Sequence, residues 1–277
     1  MKKVLITGAN SYIGDNIKQY LDNFSNEYMV DILDTIGLFP KIDDFEGYDV
    51  IIHVAGIAHI KETNKNKDLY YKVNRDLAIE VAKTAKNAGI KQFIIFSTMS
   101  VYGLSTGFIT KSTIENPQNA YGDSKLQADI FLKGLEDENF IVAIVRPPMI
   151  YGKGCKGNYQ KMRMFALKTF IFPNIKNQRS MLYIGNLTCF VKELIDCNRG
   201  GLFFPQNEEY VSTSKIVELI ASNNNKKIKM TKVFNFFIKK LNIKVLNKVF
   251  GNLTYEKTET INKYSLSESI ELSEGEY

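Results

Sequence analysis

The chain has 277 residues, 44% of them hydrophobic, and carries 36 basic against 30 acidic side chains for a net charge of +6. That length builds one large domain or two smaller ones around a sizeable core, and with no apolar run of about 18 residues a transmembrane helix is excluded. Three cysteines without a CxxC pair (Cys155, Cys189, Cys197) and only two histidines argue against a disulfide frame and a metal centre, so reduced thiols, a cytoplasmic location and no bound metal are expected.

The modest positive charge suits an anionic small-molecule substrate, and no nucleic-acid partner is expected. Lys3–Ile6 reads as a strand that stops at Thr7-Gly8-Ala-Asn-Ser-Tyr-Ile-Gly14, too early for the apolar core of a signal peptide. An amphipathic segment, Ile17–Leu21, follows. Strand, glycine turn and helix in this order form a dinucleotide-binding unit, whose helix N-terminus attracts a pyrophosphate. The second strand, Tyr28–Leu33, runs into Asp34, 20 residues after Gly14. An acid there accepts hydrogen bonds from ribose hydroxyls and disfavours a 2′-phosphate, which favours NAD(H), with NADP(H) second.

Tyr48–Gly56 reads as a buried strand ending in a small-residue turn. His53 lies inside it and reads as a hydrogen-bonded core residue, while His59 sits just beyond the turn. Residues 68–87 have helical periodicity and stop at Gly89, a C-cap signal. Lys91–Phe96 is a further strand, leading into the hydroxyl-rich Ser97-Thr-Met-Ser100 at the strand end where open α/β sheets bind ligands. A helix over 121–137 and a strand over 140–145 continue the alternation. The pattern predicts an α/β fold with a doubly wound parallel sheet.

The helix at 121–137 opens with Tyr121-Gly-Asp-Ser-Lys125, a spacing that puts phenol and ammonium on one face. A nearby cation favours the phenolate and is expected to lower the tyrosine's pKa toward that of a usable acid/base. After Gly152 the composition turns basic and aromatic. A strand and helix resume over about 180–197, and another helix is expected near 213–222. Residues 226–248 carry eight lysines and no acid, interleaved with Phe234, Phe236, Phe237, Leu241 and Leu246. A helix with its apolar face packed inward is favoured there over peripheral membrane contact. The last 20 residues, rich in Ser and Glu, are expected to be partly disordered.

Six motifs stand in order: Thr7-Gly8 to Gly14, Ile52-His-Val-Ala-Gly56, Asn74, Ser97-Thr98, Tyr121-x-x-x-Lys125 and Arg146-Pro-Pro-Met-Ile-Tyr-Gly152. With them the chain resembles, over residues 1 to about 220, the extended short-chain dehydrogenase/reductases, the NAD-dependent epimerases and dehydratases of nucleotide sugars. Residues 142–152 and 172–184 are similar to a subgroup of capsule and O-antigen enzymes that reduce the C4 ketone of UDP-4-keto-6-deoxy-N-acetylhexosamines.

The resemblance implies a Rossmann-type domain over 1–150 with about 178–200, and a smaller nucleotide-sugar-binding domain over 151–177 and 201–277. Tyr121 would be the acid/base at C4, Lys125 would hold the nicotinamide ribose, Thr98 would position the ketone, and Asn74 would stand beside them as the fourth catalytic residue. Gly8, Asn10, Ser11, Tyr12, Ile13, Gly14, Asp34, Ala55, Gly56 and Pro147 would join Tyr121 and Lys125 around the cofactor. Asn158 and Arg179, with Thr98, would bind a UDP-sugar. A homodimer through helices near 68–88 and 121–137 is implied as well.

Two departures stand out: Ser11 replaces the central glycine of the phosphate loop, and Gly185-Asn186 replaces an aspartate, with Asn186 expected as helix N-cap. Met99 and Ser100 stand where a dehydratase carries an acidic pair, which argues against that reaction. A 4-ketoreductase is the expected activity, a UDP-hexose 4-epimerase the alternative, and a non-catalytic dinucleotide-binding protein a third reading.

Overall fold

The computed structural model describes residues 1–275 apart from 38, 59, 234 and 241–243. In chain order, β1 (Lys2–Thr7), α1 (Tyr12–Asp22), β2 (Tyr28–Leu33), β3 (Val50–His53), α2 (Lys67–Tyr71), α3 (Leu77–Asn87) and β4 (Gln92–Phe96) come first. β5 (Gly107–Ile109), α4 (Ala120–Leu135), β6 (Ile141–Val145), β7 (Met149–Tyr151), α5 (Asn158–Lys168), β8 (Ile171–Pro173), β9 (Met181–Tyr183) and α6 (Ile184–Asp196) follow. The chain ends through β10 (Gly201–Phe203), β11 (Pro205–Asn207), α7 (Thr213–Asn223), β12 (Lys229–Thr231), α8 (Asn235–Lys240), α9 (Lys244–Phe250), β13 (Leu253–Tyr255), β14 (Glu259–Ile261) and α10 (Leu266–Glu274).

These elements form two compact units. The first comprises residues 1–103, 114–147 and 188–204. Its centre is a six-stranded sheet in the order β10-β6-β4-β3-β1-β2, parallel throughout. The β-branched runs Val50-Ile-Ile-His53 and Gln92-Phe-Ile-Ile-Phe96 are buried at every position, as central strands covered on both faces must be. Leu5, Ile51, Phe93, Ile95, Val142 and Ile144 from the sheet meet Val81 and Ala85 of α3 and Leu132 of α4 on one face. Each of the larger side chains among them contributes about 1.5–3 kcal/mol by leaving water. The strand order reverses at β1, where the β1–α1 and β3 turns open side by side. That crevice at the carboxyl ends is where a doubly wound sheet takes its ligand.

The second unit comprises residues 104–113, 148–187 and 205–275 of the described chain. Four short parallel pairs build it: β5 with β13, β7 with β9, β8 with β12, and β11 with β14. Residues 104–113 and 178–187 belong here, and not with the dinucleotide half as the sequence suggested, because β5 and β9 find their partners in this unit.

Three further expectations are corrected. Residues 68–87 are two helices joined by a π turn over Lys72–Asp76, which takes one extra residue and carries the buried Asn74. Residues 226–248 are not one amphipathic helix: β12 takes 229–231 into a sheet before α8 and α9 begin, and Phe234 and Leu241 lie outside the described residues. The final 20 residues are ordered where described, with α10 started by a capping box in which the Ser265 hydroxyl and Glu268 carboxylate accept each other's backbone N–H. Ile270, Ser269 and Ser273 of that helix are buried.

Candidate active site

The β1–α1 turn closes on Gly8, whose φ of +112° falls in the left-handed half of backbone space. A Cβ there would lie 2.7 Å from the Ala55 backbone nitrogen, so only glycine lets the β1 and β3 turns touch. Asn10 follows at a φ of +59°, a conformation its short side chain tolerates. Ser11 is the N-cap of α1, its hydroxyl oxygen accepting the Gly14 N–H at 3.4 Å. The missing central glycine is thus a capping residue that still carries an O–H to donate. Tyr12 and Ile13 form the first turn of α1, and Gly14 is buried beneath it. Asp34 is exposed just past β2, one carboxylate oxygen held by the Ile36 N–H at 2.9 Å. A helix N-terminus, donor-rich turn and acid at the end of the second strand together fit a pyrophosphate and a ribose diol.

Thr98 ends the β4 segment in an extended conformation and caps the turn Met99–Tyr102, accepting the Ser100 N–H at 3.1 Å. Asn119 caps α4 by accepting the Gly122 N–H at 2.8 Å, which fixes the entry of the helix that carries Tyr121. Gly122 has a second reason to be glycine, since a Cβ would lie 2.7 Å from the Ser100 carbonyl oxygen. That close approach brings Tyr121 to Thr98. Burial pushes the Tyr121 phenol above its ordinary pKa, and the Thr98 hydroxyl pulls it back by hydrogen-bonding the phenolate. The Tyr70 ring packs edge-on to Tyr121 at 6.4 Å between centroids.

Lys125 corrects the expectation drawn from its spacing. The Tyr121 phenol is raised and not lowered, and the Lys125 ammonium donates to the Phe96 carbonyl oxygen at 2.9 Å. Burial draws Lys125 itself down to about 8, against the opposing pull of Asp129. Sharing a helix face put the two side chains in one region, but the nearest strong acceptor was the end of β4.

Asn74 is fully buried and holds the Ile57 backbone with both ends of its amide, accepting the N–H at 2.8 Å and donating to the C=O at 3.1 Å. It also donates to the Ser124 hydroxyl at 3.3 Å. A side chain built at Gly56 would meet Asn74 Oδ1 at 3.1 Å and Lys125 Nζ at 3.2 Å, so these three lie together. Ala55 hands its N–H to the Thr7 carbonyl at 3.1 Å, and buried Pro147 accepts the Met99 N–H at 3.2 Å. His53 is a core residue, its Nδ1 paired with the Thr7 hydroxyl at 2.8 Å. Burial, aided by Lys125, depresses it to about 3. His59 lies outside the described residues.

Sequence reasoning missed the support beneath these groups. Asp129, buried at i+4 from Lys125, accepts the Ser97 hydroxyl at 2.7 Å and Arg146 Nε at 2.9 Å. Arg146 also reaches Tyr102 and Glu115 at 2.8 and 2.7 Å. One carboxylate therefore ties α4 to the residue before Thr98 and to the residue before Pro147. The i, i+4 step from Lys125 to Asp129 was the available signal.

In the second unit, Asn158 is exposed at the first position of α5. Arg179 is half-buried, its backbone paired with Val211 and its guanidinium donating to the Gly251 carbonyl at 3.0 Å. Asn186 is corrected: it lies inside α6, fully buried, donating to Asn207 Oδ1 at 2.9 Å and to the Tyr264 carbonyl at 3.1 Å. It braces three elements and caps none. Among the described residues, no three metal-ligating side chains cluster and no helix is long and apolar enough to cross a membrane.

The model of the NAD dependent epimerase/dehydratase family matches residues 4–191. A UDP-glucose 4-epimerase of Vibrio cholerae is 28% identical over 248 residues, 79% of this chain and 75% of the relative. The N-acetyl-alpha-D-glucosaminyl-diphospho-ditrans,octacis-undecaprenol 4-epimerase of Escherichia coli O157:H7 is 28% identical over 209 residues, 68% of this chain and 62% of the relative. Among solved structures, UDP-glucuronic acid 4-epimerase from Bacillus cereus in complex with NAD superposes with a TM-score of 0.76 at 18% identity, covering 98% of this chain and 95% of that one.

Proposed function

The chain belongs to the NAD dependent epimerase/dehydratase family, as an NAD(P)-dependent extended short-chain dehydrogenase/reductase acting on nucleotide sugars, and from that premise we propose that it moves hydride at C4 of a UDP-N-acetylhexosamine, with Tyr121 exchanging the proton on the C4 oxygen. The observation that carries this reading is the convergence of Tyr121, Thr98 and Lys125 at the carboxyl end of β4.

NAD(H) is the favoured cofactor and NADP(H) the second. When bound, it accepts or returns the hydride. The residues do the rest. Thr98 donates to the oxygen at C4 and holds it against the Tyr121 phenol, so substrate hydroxyl, phenol and threonine share one hydrogen-bonded line. Tyr121 takes the proton from a C4 alcohol as it is oxidised and gives it back as a ketone is reduced. Lys125 holds the ribose hydroxyls and supplies positive charge beneath the site, while Asp34 accepts from the adenosine ribose. Asn158 and Arg179 bind the diphosphate, for which a guanidinium is geometrically suited.

Epimerisation at C4 has the broader support, because both relatives named above are 4-epimerases and Asp34 suits a cofactor kept as NAD across two half-reactions. Net reduction of a 4-keto-6-deoxy sugar is the second reading, favoured by the similarity of residues 142–152 and 172–184 to capsule and O-antigen reductases. The acid/base atoms are common to both.

Two incubations separate them. UDP-N-acetylglucosamine converted to UDP-N-acetylgalactosamine without net change in NADH absorbance establishes the epimerase. Stoichiometric loss of NADH with UDP-4-keto-6-deoxy-N-acetylglucosamine, and no interconversion, establishes the reductase. Inactivity in both rejects C4 chemistry on these sugars.

A further inference from the structure

The second unit turns a row of apolar side chains to solvent. Phe170 is 77% exposed, Val233 71% and Phe236 67%. Ile171 and Phe165 are half exposed beside them, at 52% and 51%. Scattered apolar residues are ordinary on a surface, but the chain brings these together. β8 pairs with β12 so that Ile171 stands opposite Lys229, and the Phe170 carbonyl accepts the Lys229 N–H at 2.9 Å. The Asn235 amide, at the start of α8, reaches the Asn174 carbonyl at 2.8 Å, which holds Val233 and Phe236 near the end of the same pair. Phe172, one residue from Ile171, points inward onto Phe250 at 5.9 Å. Within β8, Ile171 and Phe172 thus face opposite ways, one to solvent and one inward, and Phe170 lies just before the strand.

The two segments that carry this row are basic, and the carboxylate of Glu274, which reaches them, is paired with Arg163 at 2.7 Å. Residues 139–192 and 219–255 contain no aspartate or glutamate, and the second stretch carries eight lysines. Lys227, Lys229 and Lys232 are exposed within the row itself. The Lys226 ammonium sits 4.9 Å from the Phe170 ring centroid, covering the aromatic without taking it out of solvent. Across the whole chain basic residues outnumber acidic ones only 36 to 30, so the imbalance is local.

A packed-inward helix leaves lysines in water and its aromatics covered. Here both are open at once, and the charge asks for an anionic partner that also accepts apolar groups. We infer that this face of the second unit docks on an anionic bilayer surface, its aromatic and aliphatic side chains entering the interface while the lysines meet lipid phosphates. Exposed rings at headgroup depth with flanking lysines are the pattern of a peripheral membrane contact. The inference is independent of which C4 reaction the other unit runs.

Flotation of the full chain with vesicles tests it. Binding is expected to phosphatidylglycerol-containing vesicles at low salt, to weaken as salt shortens the screening length, and to be absent from pure phosphatidylcholine. The pair Lys227→Glu with Lys229→Glu is expected to weaken binding at least about tenfold, since each lysine near the surface contributes about fivefold. Phe170→Ser with Phe236→Ser is expected to weaken it even at low salt. Thermal melting of each variant checks the fold, and if one melts early the lipid and salt dependence of the unaltered chain carries the test. No flotation with anionic vesicles, equal flotation with neutral ones, or full retention by both well-folded variants overturns the inference. So does binding to an oligonucleotide with none to vesicles.

Discussion

Lys125 Nζ donates to the carbonyl oxygen of Phe96 at 2.9 Å, two residues before Thr98, so the helix bearing Tyr121 is pinned to the strand end that leads into Thr98. With Asp129 bonded to Ser97 on one side and Arg146 on the other, α4 and both strand ends form one braced set.

The Lys125 charge should limit activity at high pH. Burial sets its pKa near about 8, below the ordinary lysine value, and Asp129 is the group that opposes the drop. As pH rises through that region the ammonium is lost and turnover falls. Asp129→Asn removes the opposing charge, so the alkaline limb of the kcat profile should move to lower pH. His53 and Arg146 also face these groups, but burial keeps His53 neutral there and Arg146, raised by Asp129 and Glu115, stays charged. A profile unmoved by the substitution would show that Asp129 braces the fold without setting the charge of Lys125.

Gly8→Ala should cost about 1–3 kcal/mol of stability, because φ = +112° is strained for any L side chain and the new methyl would meet Ala55 at 2.7–2.8 Å. Weaker NAD binding should accompany the loss, since the turn that must open is the phosphate loop. Calorimetry reads both, and an unchanged melt contradicts the packing.

His53 should shape the acid side of stability. Its folded pKa of about 3 lies below the unfolded value of about 6.5, so between them the unfolded chain binds more protons. Stability is unaffected by this group above about pH 6.5 and is lost as pH falls through the window. In urea unfolding, His53→Gln should flatten that part of the profile relative to the unaltered chain; parallel profiles would assign the acid loss to carboxylates alone.

Asp34→Arg should exchange the cofactor preference, lowering affinity for NAD(H) and raising it for NADP(H), because the side chain is exposed at the end of β2 with only one oxygen engaged by the Ile36 N–H. Fluorescence titration with the two reduced cofactors measures the ratio, and an unchanged ratio places Asp34 outside the ribose site.

The central sheet was readable because its strands are runs of Val, Ile and Phe broken by turn residues, and the β1–α1 loop because its glycines have backbone reasons to be there. Tyr121 and Lys125 were readable as a spacing, yet the partner of Lys125 was not, since a backbone carbonyl acceptor leaves no mark in a residue pattern. The π turn at Lys72–Asp76 was hidden for a related reason: one extra residue in a helix does not disturb its apolar periodicity enough to be seen. Asn186 looked like a cap by residue type, but its amide is spent on Asn207 and Tyr264, more than 20 and 70 residues on, and such pairings are tertiary. The lysine-rich 226–248 reads as one helix in sequence because its charges and aromatics alternate in a way that β12 and two short helices satisfy equally.

The most direct test is single-turnover C4 chemistry by Tyr121→Phe with the nucleotide sugar the unaltered chain accepts. Removing the one oxygen that exchanges the C4 proton should slow the reaction at least about a hundredfold while NAD binding and melting temperature stay unchanged. Turnover equal to that of the unaltered chain would contradict the assignment of Tyr121 as the acid/base.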